Sequence, residues 1–221
     1  MTCEDLSHFV RVASELFRHD DISSATETLS QLWSVERLEE FLCADRSDAV
    51  QLAAIALGYL GSTDQAPTLV RKLSHAEPSV VAACEDALWS IWVRDAAPNQ
   101  IAQLHEAMRH TQADDWQQAL PILHELLENR PQYAEAQHQW AIAKHMAGDL
   151  VAASDAYQRT LELNPLHYPA QCALGHLAVE QEKYAVALAA YQAALDIHPN
   201  LTELQEVVPQ LSQAIAKRIV A

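Results

Sequence analysis

Glycine is scarce in this chain, which has four glycines among its 221 residues. Phosphate-binding loops of the GxGxxG and GxxxxGK(S/T) types need clustered glycines to bring backbone N–H groups against a phosphate, and neither pattern occurs. The GxSxG nucleophile turn and the HExxH zinc motif are also absent. These absences exclude the commonest nucleotide-binding and hydrolase signatures, and we predict that the chain is not an enzyme.

Cysteine is scarce as well. The four cysteines are Cys3, Cys43, Cys84 and Cys172, and no two of them form a CxxC pair or a zinc-type spacing. Reduced thiols in a cytosolic protein fit this pattern best. The first residues carry early acids, with neither a basic segment nor a long apolar run, so we expect no signal peptide, no membrane anchor and a cytoplasmic location.

Basic residues are outnumbered along the whole chain, and the formal net charge is −16. A surface of this sign repels phosphate backbones and anionic lipid headgroups. We therefore predict that the chain binds neither nucleic acid nor membranes, and that its partners are apolar or basic.

What the sequence does contain is helix-forming residues in a regular register. It is rich in Ala, Leu, Glu and Gln, and half of its residues are hydrophobic. In the second half, four columns of residues recur every 34 positions. The columns are Ala119, Ala153, Ala187; Leu123, Tyr157, Tyr191; Leu127, Leu161, Leu195; and Pro131, Pro165, Pro199.

Each column has a physical reason in a stack of helix pairs. A small alanine lets two helices cross closely, and the larger residue four positions later lies on the same helical face and fills the space beside it. Proline ends one helix and begins the next, where its missing N–H is not needed. The period therefore predicts three helix pairs.

These columns, with Leu174-Gly175 and the aromatic residues Trp116 and Tyr184, resemble the tetratricopeptide repeat (TPR) family. The resemblance implies repeats at about 100–133, 134–167 and 168–201. Residues 202–219 then form an amphipathic helix that covers the end of the stack.

The first half has a weaker period of 31 residues. The segment 48–61 is similar to 78–92, and the pairs Leu38/Leu69 and Leu42/Leu73 keep the same offset. This pattern resembles the short HEAT repeat of bilin lyases. We therefore predict an all-α, right-handed α-solenoid, with HEAT-like helix pairs in 1–97 that continue into a TPR domain in 98–221.

In the TPR family, helix A of each repeat lines a concave groove that binds partners. Mapped by repeat position, the resemblance implies a partner-binding groove lined by ten residues here. They are Leu104, Met108, Glu135, His138, Ile142, His145, Met146, Cys172, His176 and Glu180.

This groove lacks the lysine and asparagine set of the family members that bind a C-terminal carboxylate. It holds apolar, histidine and acidic side chains instead, and methionine gives an adaptable apolar surface. We therefore predict an apolar or basic protein or peptide as partner, bound by a non-catalytic scaffold or adaptor.

Histidine is the one residue type that suggests a metal. His105-Glu106 and His124-Glu125 resemble the HE pairs of iron-binding HEAT-repeat hydroxylases, but both pairs fall in the TPR half. We interpret them as solvated helix residues, and we predict neither a metal nor a cofactor.

Two alternatives remain open from the sequence. One is an accessory subunit, or a metal- or bilin-type enzyme of the HEAT-repeat lyase or hydroxylase kind. The other is a self-assembling structural element. We expect a monomer or a weak homodimer.

Overall fold

The computed structural model describes residues 3–18 and 21–220, and their side chains except at 3 and 218–220. Within these ranges every regular element is a helix, as the predicted all-α class requires. The chain divides into two compact units, Met1–Asp95 (the N-terminal unit) and Ala96–Ala221 (the C-terminal unit). In the part of the chain that is described, no helix combines the length and the apolar character needed to cross a membrane.

The described part of the N-terminal unit consists of six α-helices, with a short 3₁₀ turn at Thr63–Gln65. The helices are α1 (Cys3–Leu16), α2 (Ile22–Leu32), α3 (Val35–Leu42), α4 (Ser47–Leu60), α5 (Ala66–Lys72) and α6 (Pro78–Arg94). α3 packs against α4, α5 against α6, and α4 against α6.

The 31-residue columns form the core of this unit. Leu38 and Leu69 are fully buried, and so are Leu57 and Leu88. Burial of both members of each pair shows that the period reflects helix packing. The identification of these pairs as HEAT repeats stays a prediction.

Gly58 allows α4 and α6 to approach closely. A Cβ at Gly58 would lie 3.1 Å from the Cα of Ala87, which is closer than most Cβ contacts. Nη2 of Arg94 donates to the carbonyl oxygens of Gly58 at 2.6 Å and of Gly61 at 3.1 Å. The guanidinium thereby donates hydrogen bonds to carbonyl oxygens at the end of α4, which have no N–H partner within the helix.

The C-terminal unit contains the three predicted helix pairs and the predicted end helix. The pairs are α7 (Pro98–Gln112) with α8 (Trp116–Asn129), α9 (Ala134–Met146) with α10 (Leu150–Leu163), and α11 (Tyr168–Glu180) with α12 (Tyr184–Ile197). The end helix is α13 (Thr202–Val220). This succession of pairs confirms the predicted α-solenoid architecture.

The turn inside each pair follows the same 34-residue period. Asp114, Gly148 and Glu182 all have positive φ, at 60°, 76° and 57°. In each turn the next N–H closes the helix end in the manner of a Schellman motif, as Asp149 N does to the Lys144 oxygen at 3.0 Å. The turn geometry is thus conserved among the three repeats, although only the second uses glycine.

The helix pairs are packed through small and aromatic residues. Ala153 and Ala187 are fully buried, and Tyr157 and Tyr191 are almost so. If the neighbouring atoms stayed in place, a Cβ at Gly175 would lie 2.3 Å from Cε1 of Tyr191. The absence of a side chain at Gly175 therefore allows this position of the tyrosine ring.

α13 covers the last pair, as the sequence predicts. Leu204 is buried in a cluster with Ala187 and Tyr191, and Val208 and Leu211 pack against that cluster. α13 therefore covers part of the apolar surface of α12.

Candidate functional site

A contact between His145 on α9 and Glu180 on α11 joins helix-A residues of repeats two and three. Ile142, His145 and Met146 are spaced at i, i+3 and i+4 on α9 and share a helical face. Nε2 of His145 lies 3.0 Å from Oε2 of Glu180 on α11, which links the two helices across the repeat boundary. We call these residues, together with Met108 on α7 and His176 on α11, the helix-A face.

Burial separates the ten predicted groove residues into two groups. His176 and Glu180 are exposed, and a further five are half-buried: Met108, Ile142, His145, Met146 and Cys172. Leu104, Glu135 and His138 are buried.

Two members of the buried group, Glu135 and His138 on α9, lie against His167, the residue before α11. Oε2 of Glu135 is 3.0 Å from Nε2 of His167, and the ring centroids of His138 and His167 are 4.5 Å apart. The prediction that Leu104, Glu135 and His138 line an open groove is therefore wrong, because all three residues are buried.

Three of the buried polar groups meet at one point. Nε2 of His167 lies 3.0 Å from Oε2 of Glu135, and Nδ1 of His138 lies 3.5 Å from Oε1 of the same carboxylate. Gln139 Nε2 donates to Oε1 at 2.8 Å. We call Glu135, His138 and His167 the buried triad.

The hydrogen bonds fix where the protons of the triad lie. The N–H of Ala170 donates to Nδ1 of His167 at 3.1 Å, so Nδ1 carries no proton and Nε2–H donates to Glu135. Nδ1 of His138 is buried and has no hydrogen-bond partner. One imidazole nitrogen is therefore unused beside a carboxylate.

The electrostatics of the triad follow from burial and mutual contact. Burial raises the pKa of Glu135, but the contacts with His138 and His167 outweigh it and hold this pKa well below its usual value. Burial, followed by the neighbouring His138, lowers the pKa of His167. The triad thus contains an ionised carboxylate, and His167 is neutral.

The sequence predicts surface positions for Glu135 and His138 and does not single out His167. The 34-residue register is the sequence pattern that identifies His167. His167 occupies the position of Tyr133 in the preceding repeat and of Leu201 after it. A polar residue at a position that is otherwise apolar indicates a buried polar cluster.

The other histidine motifs are solvent-exposed. His105-Glu106 on α7 and His124-Glu125 on α8 both lie on exposed helix surface. A separate apolar cavity of about 510 Å³ lies between the start of α12 and α13, lined in part by Tyr184, Val186 and Ile215. None of the predicted groove residues lines this cavity.

The cysteines are expected to differ in reactivity with a maleimide at neutral pH, because the thiolate is the reactive form. Burial raises the pKa of Cys84 to about 12 and that of Cys172 to about 11. Cys43 is exposed. Mass spectrometry of labelled peptides should show rapid labelling of Cys43, slow labelling of Cys172 and none of Cys84, whereas all three label in denaturant. Equal rates for Cys43 and Cys84 in the native protein would contradict the buried position of Cys84.

Comparison with known proteins gives a fold and no family. No protein-family profile matches the sequence, and no curated protein matches it. Among solved structures, the fold is similar to that of TPR domains. One is the first TPR domain of Spaghetti (RPAP3) bound to the HSP90 peptide SRMEEVD, with a TM-score of 0.50 and 17% identity over 53% of this chain and 95% of that chain.

A second similar structure is the first TPR domain of human RPAP3. It has a TM-score of 0.50 and 16% identity, and the match covers 55% of this chain and 96% of that chain. At such low identity these matches show the TPR fold alone.

Proposed function

We propose that this chain is a non-catalytic protein-binding module, and that the helix-A face of its C-terminal unit binds an apolar or basic peptide segment of a partner protein. The observation that carries the proposal is the continuity of this face across two repeats. His145, which shares a helical face of α9 with Ile142 and Met146, pairs with Glu180 on α11. A stacked fold offers such a face to an extended or helical ligand.

The chemistry of the face supports the choice of ligand. Met108, Ile142 and Met146 supply partly exposed apolar surface, and methionine adapts its shape to different ligands. Glu180 is exposed, and the whole chain carries a net charge of −16. Electrostatic complementarity therefore favours a basic ligand and accelerates its association.

The ligand is expected to differ from that of RPAP3, whose structure holds the acidic HSP90 peptide SRMEEVD. The positions at which TPR domains of the carboxylate-binding kind carry lysine and asparagine hold other residues here. They are Leu104, Met108, His138, Ile142, Cys172 and His176. No cation is available from these positions except a protonated histidine, so an acidic peptide is a poor ligand for this face.

The test compares three peptides that share one apolar helical face and are basic, neutral or acidic in net charge. SRMEEVD is included as a second acidic peptide. We expect the basic peptide to bind best in fluorescence anisotropy. The double substitution Met146→Lys/Glu180→Lys places two like charges on the face and is expected to weaken binding about tenfold or more, which corresponds to ~1.4 kcal/mol.

The matched control is Val151→Lys/Glu128→Lys, which makes the same change of charge on the exposed surfaces of α10 and α8. It is expected to leave binding at the helix-A face nearly unchanged at high salt. Equal weakening by both variants at low salt, lost from both at high salt, would show that net charge alone attracts the ligand. Preferential binding of SRMEEVD would overturn the proposed ligand class.

A further inference from the structure

The contact between repeats two and three departs from the rest of the stack. Glu135, His138 and His167 are buried polar residues. The positions 34 residues before and after each of them hold aliphatic residues, proline, tyrosine or cysteine. The residues at the corresponding positions are Ile101, Pro169, Leu104, Cys172, Tyr133 and Leu201. The three exceptional residues belong to three different columns and yet meet at one place.

Their donor atoms are close enough to share an ion. One donor atom from each of Glu135, His138 and His167 can be chosen so that all three lie within 4.8 Å of one another. Oε2 of Glu135 lies 3.0 Å from Nε2 of His167, and the other carboxylate oxygen, Oε1, lies 3.5 Å from Nδ1 of His138. Ligands at about 2.0–2.2 Å from a tetrahedral ion are separated by roughly 3.3–3.6 Å, so both distances are within a few tenths of an ångström of this range.

An independent observation points to a ligand. Nδ1 of His138 is the one buried side-chain nitrogen or oxygen without a hydrogen-bond partner among the residues that the structure describes. It belongs to a side chain that is 10% exposed, and it faces the Glu135 carboxylate. A buried nitrogen without a partner is unfavourable, and an ion that accepts its lone pair removes that penalty.

We propose that Glu135, His138 and His167 bind one transition-metal ion of the Zn²⁺ class between repeats two and three. Two imidazole nitrogens and one carboxylate oxygen are a donor set that suits Zn²⁺ and neighbouring divalent metals. The ion also compensates the negative charge of a carboxylate that is 99% buried. This metal site is separate from the proposed peptide-binding face and does not depend on it.

Binding requires both donor nitrogens to be free of protons, and Nδ1 of His138 meets this condition when the proton of that ring is on Nε2. Nε2 of His167 carries a proton that it donates to Glu135, and this proton must move to Nδ1 of the same ring when Nε2 binds the metal. Protonated Nδ1 can no longer accept from the N–H of Ala170, so the N-cap hydrogen bond of α11 is lost. One cap hydrogen bond is a small contribution beside the coordination of an ion by three protein ligands.

The experiment titrates the full chain, freed of metal with a chelator, with ZnCl₂ in a calorimeter, and with CoCl₂ while the visible spectrum is recorded. We expect one ion per chain and cobalt bands typical of nitrogen and oxygen ligation at low coordination number. His138→Leu, which introduces the residue of the Leu104 column, is expected to weaken binding by about 100-fold or more, since it removes a ligand.

Two controls make the result specific. His145→Leu and His176→Leu remove histidines of the helix-A face and are expected to leave metal affinity unchanged. Glu135→Gln keeps the shape of the side chain, so it tests the site if His138→Leu fails to fold, and it is expected to weaken binding as strongly. Absence of Zn²⁺ binding by the wild-type chain overturns the proposal, and so does binding that His145→Leu abolishes or that Glu135→Gln leaves intact.

Discussion

Replacement of His167 alone by leucine is expected to lower the free energy of unfolding of the C-terminal unit by about 3 kcal/mol or more. The substitution removes the Nε2–H that donates to the buried Glu135 carboxylate, and it removes the acceptor of the Ala170 N–H. An ionised carboxylate then remains buried with one donor fewer. Urea denaturation in the presence of a chelator measures the loss, and hydrogen exchange in α9 and α11 assigns it to this unit.

The matched variant replaces the whole polar network with the chain's own apolar residues. It combines four substitutions: Glu135→Ile, His138→Leu, Gln139→Ala and His167→Tyr. The new residues are those at the corresponding positions of other repeats, namely Ile101, Leu104, Ala173 and Tyr133.

This fourfold variant is expected to match the wild type in stability, or to exceed it by up to about 4 kcal/mol, because no charge remains to be desolvated. A variant that is stable but has lost Zn²⁺ binding would show that the network is not retained for stability. A fourfold variant as unstable as His167→Leu would contradict this account, and would mean that these polar groups are needed to assemble repeats two and three.

The helix pairs could be predicted from the sequence because their packing repeats. The same close crossing of two helices recurs at Ala119, Ala153 and Ala187. A close crossing requires a small residue at the contact. Turn geometry could be predicted only where glycine marks it. Asp114 and Glu182 adopt the same left-handed backbone as Gly148, although glutamate is uncommon in this region and aspartate is found there less often than glycine.

The candidate sites could be predicted only in part. The spacing of Ile142, His145 and Met146 places them on one face of α9 whatever the surroundings. Whether a helix-A residue faces solvent or the next repeat depends on the rotation between repeats, and a linear register does not contain that angle. For this reason Glu135 and His138 could be assigned to a helix, whereas their contact with His167, from the loop before α11, could not.

Removal of the Tyr157 ring is expected to be as damaging as removal of His167. Tyr157 is 2% exposed and lies in a core cluster whose other buried members are largely alanines, so few side chains are able to fill the space that it leaves. Tyr157→Ala should therefore lower the free energy of unfolding by about 3–5 kcal/mol, since the transfer of the ring and the remaining cavity both contribute. Urea denaturation measures this loss of unfolding free energy, and hydrogen exchange assigns it to the C-terminal unit.

Tyr157 also connects core packing with both proposed sites. Its ring centroid lies 5.9 Å from that of His138 and 6.5 Å from that of His145, so loss of the ring removes support from the buried triad and from the helix-A face. Tyr157→Leu introduces the residue of the Leu123 column and should retain most of the stability, at a cost of about 1–2 kcal/mol. Tyr59→Ala, at a partly exposed position of the N-terminal unit, is the control for loss of a tyrosine. If Tyr157→Ala is no more destabilising than Tyr59→Ala, the alanine-rich core relaxes around the cavity, and the second repeat does not depend on its aromatic column.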